Sequence, residues 1–344
     1  MIDTVNSRIG CFSDVHIGLY QDSSIWHDIS LAFAKEVSTF YKKEGIKDII
    51  IPGDIFHNRS EISVKTIHTA KQFFDYFKDF NIIVSAGNHD SFFKEKSEIN
   101  SICIFDGWNN ITIVDNKPYV IETPNGTTIS LIPWGTPVSD IPKTDICFGH
   151  FEINTFYMNT YRACDKGEDS KNLLNKSPFI ISGHFHKKDH RKYDKGQILY
   201  LGSPYQQNFG DLGDERGYYI IDLDNKTFNF HTNNFSPKFL KVNSQDVNED
   251  LLKKNIKNNF VSLMIDSSLK HDEINNILNK VHTLKPINLK IDYTEKTIQA
   301  TGEEKSYDSI DIIKNIYEYV ETLDIECKKE VVNYLTEVYN SINK

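Results

Sequence analysis

Ile49-Ile50-Ile51-Pro52-Gly53-Asp54 is an aliphatic run that stops at a glycine and delivers a carboxylate immediately afterwards. The same punctuation returns in Ile82-Ile83-Val84-Ser85-Ala86-Gly87-Asn88-His89-Asp90, in Ile146-Cys147-Phe148-Gly149-His150 and in Phe179-Ile180-Ile181-Ser182-Gly183-His184-Phe185-His186. Ile9-Gly10-Cys11-Phe12-Ser13-Asp14-Val15-His16 ends the same way, with serine in the place of glycine. Each run reads as a short strand. In parallel or mixed sheets of α/β domains, sites form outside the carboxyl ends of the strands, so five such ends can converge on one place. Glycine there permits positive φ and a close backbone approach where a metal cluster leaves little room for a side chain.

Working outward, short β-rich runs alternate with amphipathic helical stretches from Arg8 to about Thr232, the pattern of a layered α/β domain. Strands are predicted at Ile9–Ser13, Asp48–Pro52, Ile82–Ala86, Thr128–Ile132, Ile146–Phe148, Phe179–Ser182, Ile198–Leu201 and Tyr218–Leu223. A helix opened by Ser23 or Ser24 carries Ile25, Ile29, Phe33, Val37 and Phe40 at three- to four-residue spacing. A second, about Ser63 to Phe80, carries Ile67, Ala70, Phe73, Phe74 and Phe77, a stripe that reads first as core and second as an interface. After Asn234 the texture becomes rich in lysine and asparagine, with a β-α-β-α-β reading over Phe239–Val242, Asp250–Ile256, Val261–Ile265, Glu273–Val281 and Leu289–Tyr293. The resulting plan is a catalytic domain over 1–232, a small α+β cap over 233–293, a polar linker over 294–309 and two amphipathic helices within 310–344.

The 344 residues suit one large catalytic domain with smaller appendages, and 39% hydrophobic content with 22 Phe and 17 Tyr suffices for a sizeable core. No apolar run reaches about 18 residues, and Met1 to Arg8 lacks the features of a signal peptide, so an intracellular protein without a membrane span is expected. Cys11, Cys103, Cys147, Cys164 and Cys327 are scattered and odd in number, which argues against disulfides and thiolate zinc and for reduced packing residues. The formal net charge of -9 means that any polyanion must be held by local positive charge, which bound divalent cations can supply.

The candidate ligands are Asp14, His16, Asp54, Asn88, His150, His184 and His186. They are one side chain short of two four-coordinate sites, and a shared carboxylate removes the shortfall. Asp54 is the bridging candidate, because its two oxygens can meet two cations. Residues at i and i+2 share a face only in an extended chain, so both the Asp14/His16 and the His184/His186 pairs are expected on strand ends. Any one of these motifs alone could be a turn or a solvent-facing strand; the joint pattern at successive strand ends is what points to a metal site.

Asp14-Val15-His16, Gly53-Asp54, Gly87-Asn88-His89-Asp90, Gly149-His150 and Gly183-His184-Phe185-His186 resemble, in order, the five motifs of the calcineurin-like metallophosphoesterases, over residues 8–186. Protein phosphatases of that superfamily continue the second motif as Gly-Asp-x-x-Asp-Arg-Gly and the third as Gly-Asn-His-Glu. Here the second runs Gly53-Asp54-Ile55-Phe56-His57 and the third ends in Asp90, which resembles the SbcD-type DNA repair nucleases and most of all their phage versions. Tyr200-Leu201-Gly202-Ser203-Pro204 and Glu215-Arg216-Gly217-Tyr218 are similar to segments of the same nucleases.

That resemblance implies a layered α/β/β/α domain with a small α+β cap and C-terminal helices. It implies one metal held by Asp14, His16, Asp54 and His186 and a second by Asp54, Asn88, His150 and His184. The resemblance implies manganese as the metal; iron, zinc and magnesium are compatible with such donors. His89 would act on the leaving group with Asp90 orienting it, and His57 would assist exonucleolytic cleavage. The implied partners are DNA, a second copy of the chain and an SMC-like ABC ATPase docked on the C-terminal helices, in the cytoplasm of the cell or of a phage host. Arg216 reads either as a phosphate contact or as a loop ion pair with Asp211, Asp214 or Glu215, and Tyr205, Gln206 and Gln207 either as groove lining or as surface. The rival readings are a phosphatase or cyclic-nucleotide phosphodiesterase on the same scaffold, and a scaffold that binds without turnover.

Overall fold

The computed structural model describes residues 4–158, 162–247, 256–294, 320 and 328–342. The first sheet has the order β12-β11-β1-β2-β3-β4, built from β1 (Arg8–Cys11), β2 (Asp48–Pro52), β3 (Asn81–Ser85), β4 (Ile111–Val114), β11 (Gly217–Asp222) and β12 (Thr227–Thr232). The second has the order β5-β6-β7-β8-β10-β9, from β5 (Tyr119–Glu122), β6 (Thr128–Ile132), β7 (Ile146–Gly149), β8 (Phe179–Ser182), β9 (Asp189–Tyr193) and β10 (Gly196–Tyr200). β1 to β4 are mutually parallel, as are β6, β7, β8 and β10; the remaining strands are antiparallel additions.

Alternation along each strand builds the layers. Ile50 and Ile83 join Phe148, Phe179 and Ile181 in one core between the sheets. Ile49, Ile51, Ile82 and Val84 face the other way, onto helices α1 (Ser24–Lys43) and α2 (Val64–Asp75). Cys147, Ile180 and Ile198 turn outward onto Leu173 and Leu174 of the short α3 (Ser170–Leu174). The arrangement is the layered α/β one expected, with strands apolar throughout because both of their faces are covered.

Several local expectations are corrected. The buried stripe of α1 begins at Trp26, while Ile25 is 41% exposed. α2 stops at Asp75 and the chain continues to Phe80 in turns. Phe73, Phe74 and Phe77 are fully buried in the monomer core, which removes that stripe as a dimer face. Cys11, Cys147 and Cys164 are buried, but Cys103 is exposed and is no packing residue; Cys327 lies outside the described residues.

Beyond residue 232, β13 (Phe239–Asn243), β14 (Phe260–Ile265) and β15 (Asn288–Tyr293) form a parallel three-stranded sheet whose Val242, Val261 and Leu263 pack with Val281 of α4 (His271–Thr283). Its first two strands also reach the main core, where the ring of Trp26 stacks on Phe260 at 5.2 Å. The expected helix at 250–256 lies outside the described residues except for Ile256. Residues 295–344 form a separate unit, of which α5 (Lys328–Ile342) is described. The linker and the helix expected at 310–323 lie outside the described residues except for Thr294 and Val320.

Candidate metal centre

The carboxyl ends of β1, β2 and β3 in the first sheet meet those of β7 and β8 in the second. The His184 N–H, after β8, donates to the Asp14 carboxylate, after β1, at 3.0 Å, and His150 Nδ1, after β7, donates to the carbonyl of Pro52 at the end of β2 at 2.8 Å. The expectation that the Asp14/His16 and His184/His186 pairs are extended is corrected: Asp14, His16 and His184 have φ of 59°, 52° and 88°, Asp54 has 55°, and all four stand on loops just past their strands. A left-handed residue costs about 1–2 kcal/mol. Pairing between the two loops offsets it, with the Asp14 and His16 N–H groups donating to the Gly53 and Asp54 carbonyls and Ser13 Oγ donating to Pro52 and Gly53. A Cβ at Gly87 would collide with the Asp54 carboxylate and one at Gly183 with Ser13 Oγ, so the glycines of the motifs are there for space.

All seven candidate ligands come together. Asp54 Oδ2 lies 3.2 Å from His150 Nε2 and 3.5 Å from His16 Nε2, reaching both sides of the cluster. Asn88 Oδ1 lies 3.0 Å from His150 Nε2 and 2.9 Å from His184 Nδ1. Asp14, His16 and His186 each bring a donor atom within 4.8 Å of the others, as do Asp14, Asp54 and His150. His16 Nε2 and His186 Nε2 stand 3.0 Å apart. Two bare lone pairs at that distance repel, so the pair must share a proton or a cation.

Burial pushes the imidazoles of His16 and His186 below their ordinary range; burial and the neighbouring His150 push His184 down to about 3. Neutral imidazole is the form that binds metals. Burial alone would raise Asp54, but His150 and His16 hold it well below the usual carboxylate range, and burial of His150 is outweighed by Asp54 and Asp14, which raise it to about 9. The site therefore offers ionised oxygen from Asp54, neutral nitrogen from His16, His184 and His186 and no sulfur, while His150 carries a proton that a cation must displace. That donor set fits divalent cations.

The remaining candidates are placed as follows. His89 stands beside the cluster, its ring 4.7 Å from that of His16, and its Nδ1 must donate to the His57 carbonyl at 2.6 Å, since a carbonyl only accepts. Asp90 does not orient His89, contrary to expectation: its carboxylate is spent on the N–H groups of Asp54 at 2.8 Å, Phe56 at 2.9 Å and Gly87 at 3.0 Å, tying the second motif to the third. Burial, with Asp54 nearby, raises Asp90 to about 6. The His57 ring stacks on His89 at 5.6 Å, with its buried Nδ1 unpartnered. Arg216 is buried, its guanidinium held by Asp211 at 2.7 Å and Asp214 at 3.2 Å, so of its two readings the geometry supports the loop ion pair.

Tyr205, Gln206 and Gln207 are buried rather than surface residues and form a clasp, and Tyr205 and Gln206 also line a depression shared with Arg216 and Phe239. Tyr205 Oη donates to Val15 O at 2.6 Å and Gln207 Nε2 to Asp14 O at 2.8 Å, while Gln206 Oε1 accepts from the Phe239 N–H at 2.7 Å. Trp134 was not among the expected site residues, yet its ring stands 5.2 Å from His184 and 6.0 Å from His150. The signal was present: Pro133-Trp134-Gly135 follows the predicted strand β6, which runs parallel to β7 and so ends at the same edge.

The chain belongs to the calcineurin-like phosphoesterase family, whose model matches residues 7–199, more than half of the sequence. Members of this family use divalent metals. Among curated proteins the chain is 29% identical over 232 residues to exonuclease subunit 1 of enterobacteria phage T4; the match covers 64% of this chain and 66% of that protein, just under two thirds of its length. Similar solved structures include an archaeal phosphodiesterase (15% identity, 66% of this chain and 99% of that one, TM-score 0.37) and a dimetal phosphatase from Danio rerio (12% identity, 64% and 93%, TM-score 0.41). No helix among the described residues is long and apolar enough to cross a membrane.

Proposed function

We propose that this chain is the nuclease subunit of a DNA-processing complex, a phosphodiesterase that works with two divalent cations, manganese by preference. The observation that carries the reading is the meeting of seven nitrogen and oxygen donors from five strand ends, with the Asp54 carboxylate within 3.2–3.5 Å of imidazoles on both sides. One cation would be held by Asp14, His16, Asp54 and His186, the other by Asp54, Asn88, His150 and His184, with Asp54 shared. Bound cations supply Lewis acidity toward the phosphodiester and a nucleophilic water at neutral pH.

The protein's own groups do the rest. With Nδ1–H of His89 committed to the His57 carbonyl, Nε2 is the atom left to exchange a proton with the leaving oxygen, a role typically worth about 10²- to 10⁴-fold. Asp90 fixes the Gly53–Phe56 loop on which Asp54 rides, and Gln207 fixes the backbone of Asp14. DNA as substrate rests on the Phe56-His57 continuation of the second motif and on the likeness to the phage exonuclease subunit. The word subunit in that relative's name supports an assembly, here with an SMC-like ATPase through residues 310–344. A homodimer would need a surface other than the buried Phe73, Phe74 and Phe77.

The test is incubation with manganese and end-labelled single- and double-stranded DNA, with and without chelator and an SMC-like ATPase. Chelator-sensitive release of nucleotides is expected. Rapid hydrolysis of a phosphomonoester with DNA left intact would move the chain to the phosphatases.

A further inference from the structure

The sandwich edge that holds the metal cluster continues into a surface that the phosphodiester chemistry does not use. Trp134 contacts the ring of His184 and is pinned by donating its Nε1–H to the carbonyl of Lys94 at 2.7 Å. Gly135, at φ of 80°, lies so close under Glu95 that no Cβ fits between them. The loop after the third motif is thereby fixed against the end of β6. It closes on itself through the Phe92 N–H, which donates to the Ile99 carbonyl at 2.9 Å. This loop carries Phe92 and Phe93, which are 50% and 41% exposed and pack edge to face at 5.2 Å.

Two adjoining depressions run across it. One of about 420 Å³ is lined by Trp134, Thr136, Lys96, Asn116 and Lys117; its neighbour of about 310 Å³ is lined by Phe93, Lys94 and Glu95. Lys96 and Glu98, an exposed ion pair at 3.8 Å, belong to both. Lys94, Lys96 and Lys117 are matched in these walls by Glu95, Glu98 and Asp140, so the surface has no net pull on a phosphate backbone. What it offers is aromatic faces, beginning with Trp134 beside the candidate ligand His184 and continuing with the exposed Phe92 and Phe93. A base has a π face whatever its identity, and stacking on an aromatic side chain is worth about 1–3 kcal/mol per base.

We propose that Trp134, Phe92 and Phe93 form a stacking platform for the unpaired bases of a single strand, or of a frayed duplex end, next to the phosphodiester at the metal centre. The division of labour follows from charge: the cations hold the phosphate and the platform holds the base, which lets an acidic protein grip a polyanion without a basic groove. The platform rests on the phosphodiesterase reading above, and the test separates the two.

In the full chain with manganese, kcat/KM is measured for a single-stranded oligonucleotide and for bis(4-nitrophenyl) phosphate. Failure of the unsubstituted protein on both substrates sinks the phosphodiesterase reading itself. Given activity, Phe92→Ala with Phe93→Ala is expected to lower the ratio of oligonucleotide to small-substrate kcat/KM about tenfold, mostly through KM. Both rings are half exposed, so their truncation leaves the core intact. Trp134→Phe, which keeps a smaller face, lowers the ratio less. A 2-aminopurine near the 3′ end of a strand bound in calcium is quenched by the unsubstituted protein and less so by the double variant. A ratio within twofold of the parent overturns the platform, and so does an unchanged ratio in a double variant that sediments as a smaller species, which assigns the aromatic edge to contact between copies.

Discussion

Asp54 and Asp90 are both fully buried carboxylates two loops apart, and the geometry gives them different work. Asp54 turns an oxygen toward His16 and His150; Asp90 turns both of its oxygens toward backbone N–H groups. Asp54→Ala is therefore expected to abolish manganese-dependent hydrolysis of bis(4-nitrophenyl) phosphate and to weaken manganese binding in calorimetry; full activity in that variant would remove the shared-ligand assignment. Asp90→Asn turns one acceptor oxygen into a donor facing N–H groups, and unfolding by denaturant should show a loss of about 2–3 kcal/mol. His89→Ala should lower kcat by about 10²- to 10⁴-fold and leave the unfolding midpoint near the parent's. If His89→Ala and Asp90→Asn instead gave the same kinetic defect at equal stability, the two would be a catalytic pair after all. Sequence could suggest that pairing because the residues are adjacent; it could not show that the peptide geometry turns them apart.

Among the elements, the four strands that the sequence did not reveal are β4, β5, β9 and β12, and they are the four edges of the two sheets. Interior strands are covered on both faces and read as aliphatic runs. Edge strands are short or half solvated: β9 is Asp189-His190-Arg191-Lys192-Tyr193, and β12 alternates in Thr227-Phe228-Asn229-Phe230. The sandwich is stapled near one such edge by Asp224, beyond β11, whose carboxylate accepts from Ser7 and, across on the β5–β6 hairpin, from Thr123 at 2.7 Å, Thr127 at 2.8 Å and Asn125. The Ser7 hydroxyl and then Thr123 hold this carboxyl far below its usual range. A depressed folded pKa adds stability that is complete above the unfolded value of about 3.9 and disappears as pH falls through the folded one. Asp224→Ala should lower the thermal midpoint at pH 7, and the gap to the parent should narrow steadily below about pH 4. A gap independent of pH from 7 to 2 would mean that the carboxylate charge plays no part.

On the scale of the whole molecule, residues up to Thr294 form one compact unit and residues 295–344 another. The metal centre and the three-stranded sheet both lie in the first. Deleting residues 303–344 is accordingly expected to spare hydrolysis of a small phosphodiester while abolishing stimulation by an SMC-like ATPase. Loss of the small-substrate activity would show that the second unit is needed for the first to fold or work. Within the first unit, Gln206 and Gln207 are neighbours whose side chains reach opposite ways, to the β13 backbone and to Asp14, so the added sheet and the metal ligands share one support.

By itself the sequence determined the interior strands, the two helices that cover the first sheet and the roster of metal-capable side chains. These are local properties: an apolar run must be covered, and a glycine before a carboxylate or imidazole marks where the backbone must come close. Only the tertiary structure decided what depends on distant backbone. It set the left-handed φ of Asp14, His16 and His184, the turn of Asp90 toward three N–H groups, the burial of Arg216 between Asp211 and Asp214 and the approach of Trp134 to His184. Apart from the Arg216 ion pairs and the Gly87–Asp90 turn, which lie within single loops, those contacts join residues held in place by different strands or loops. Their geometry is fixed by how the two sheets stack and where their parallel strands end, and spacing along the chain carries no record of that.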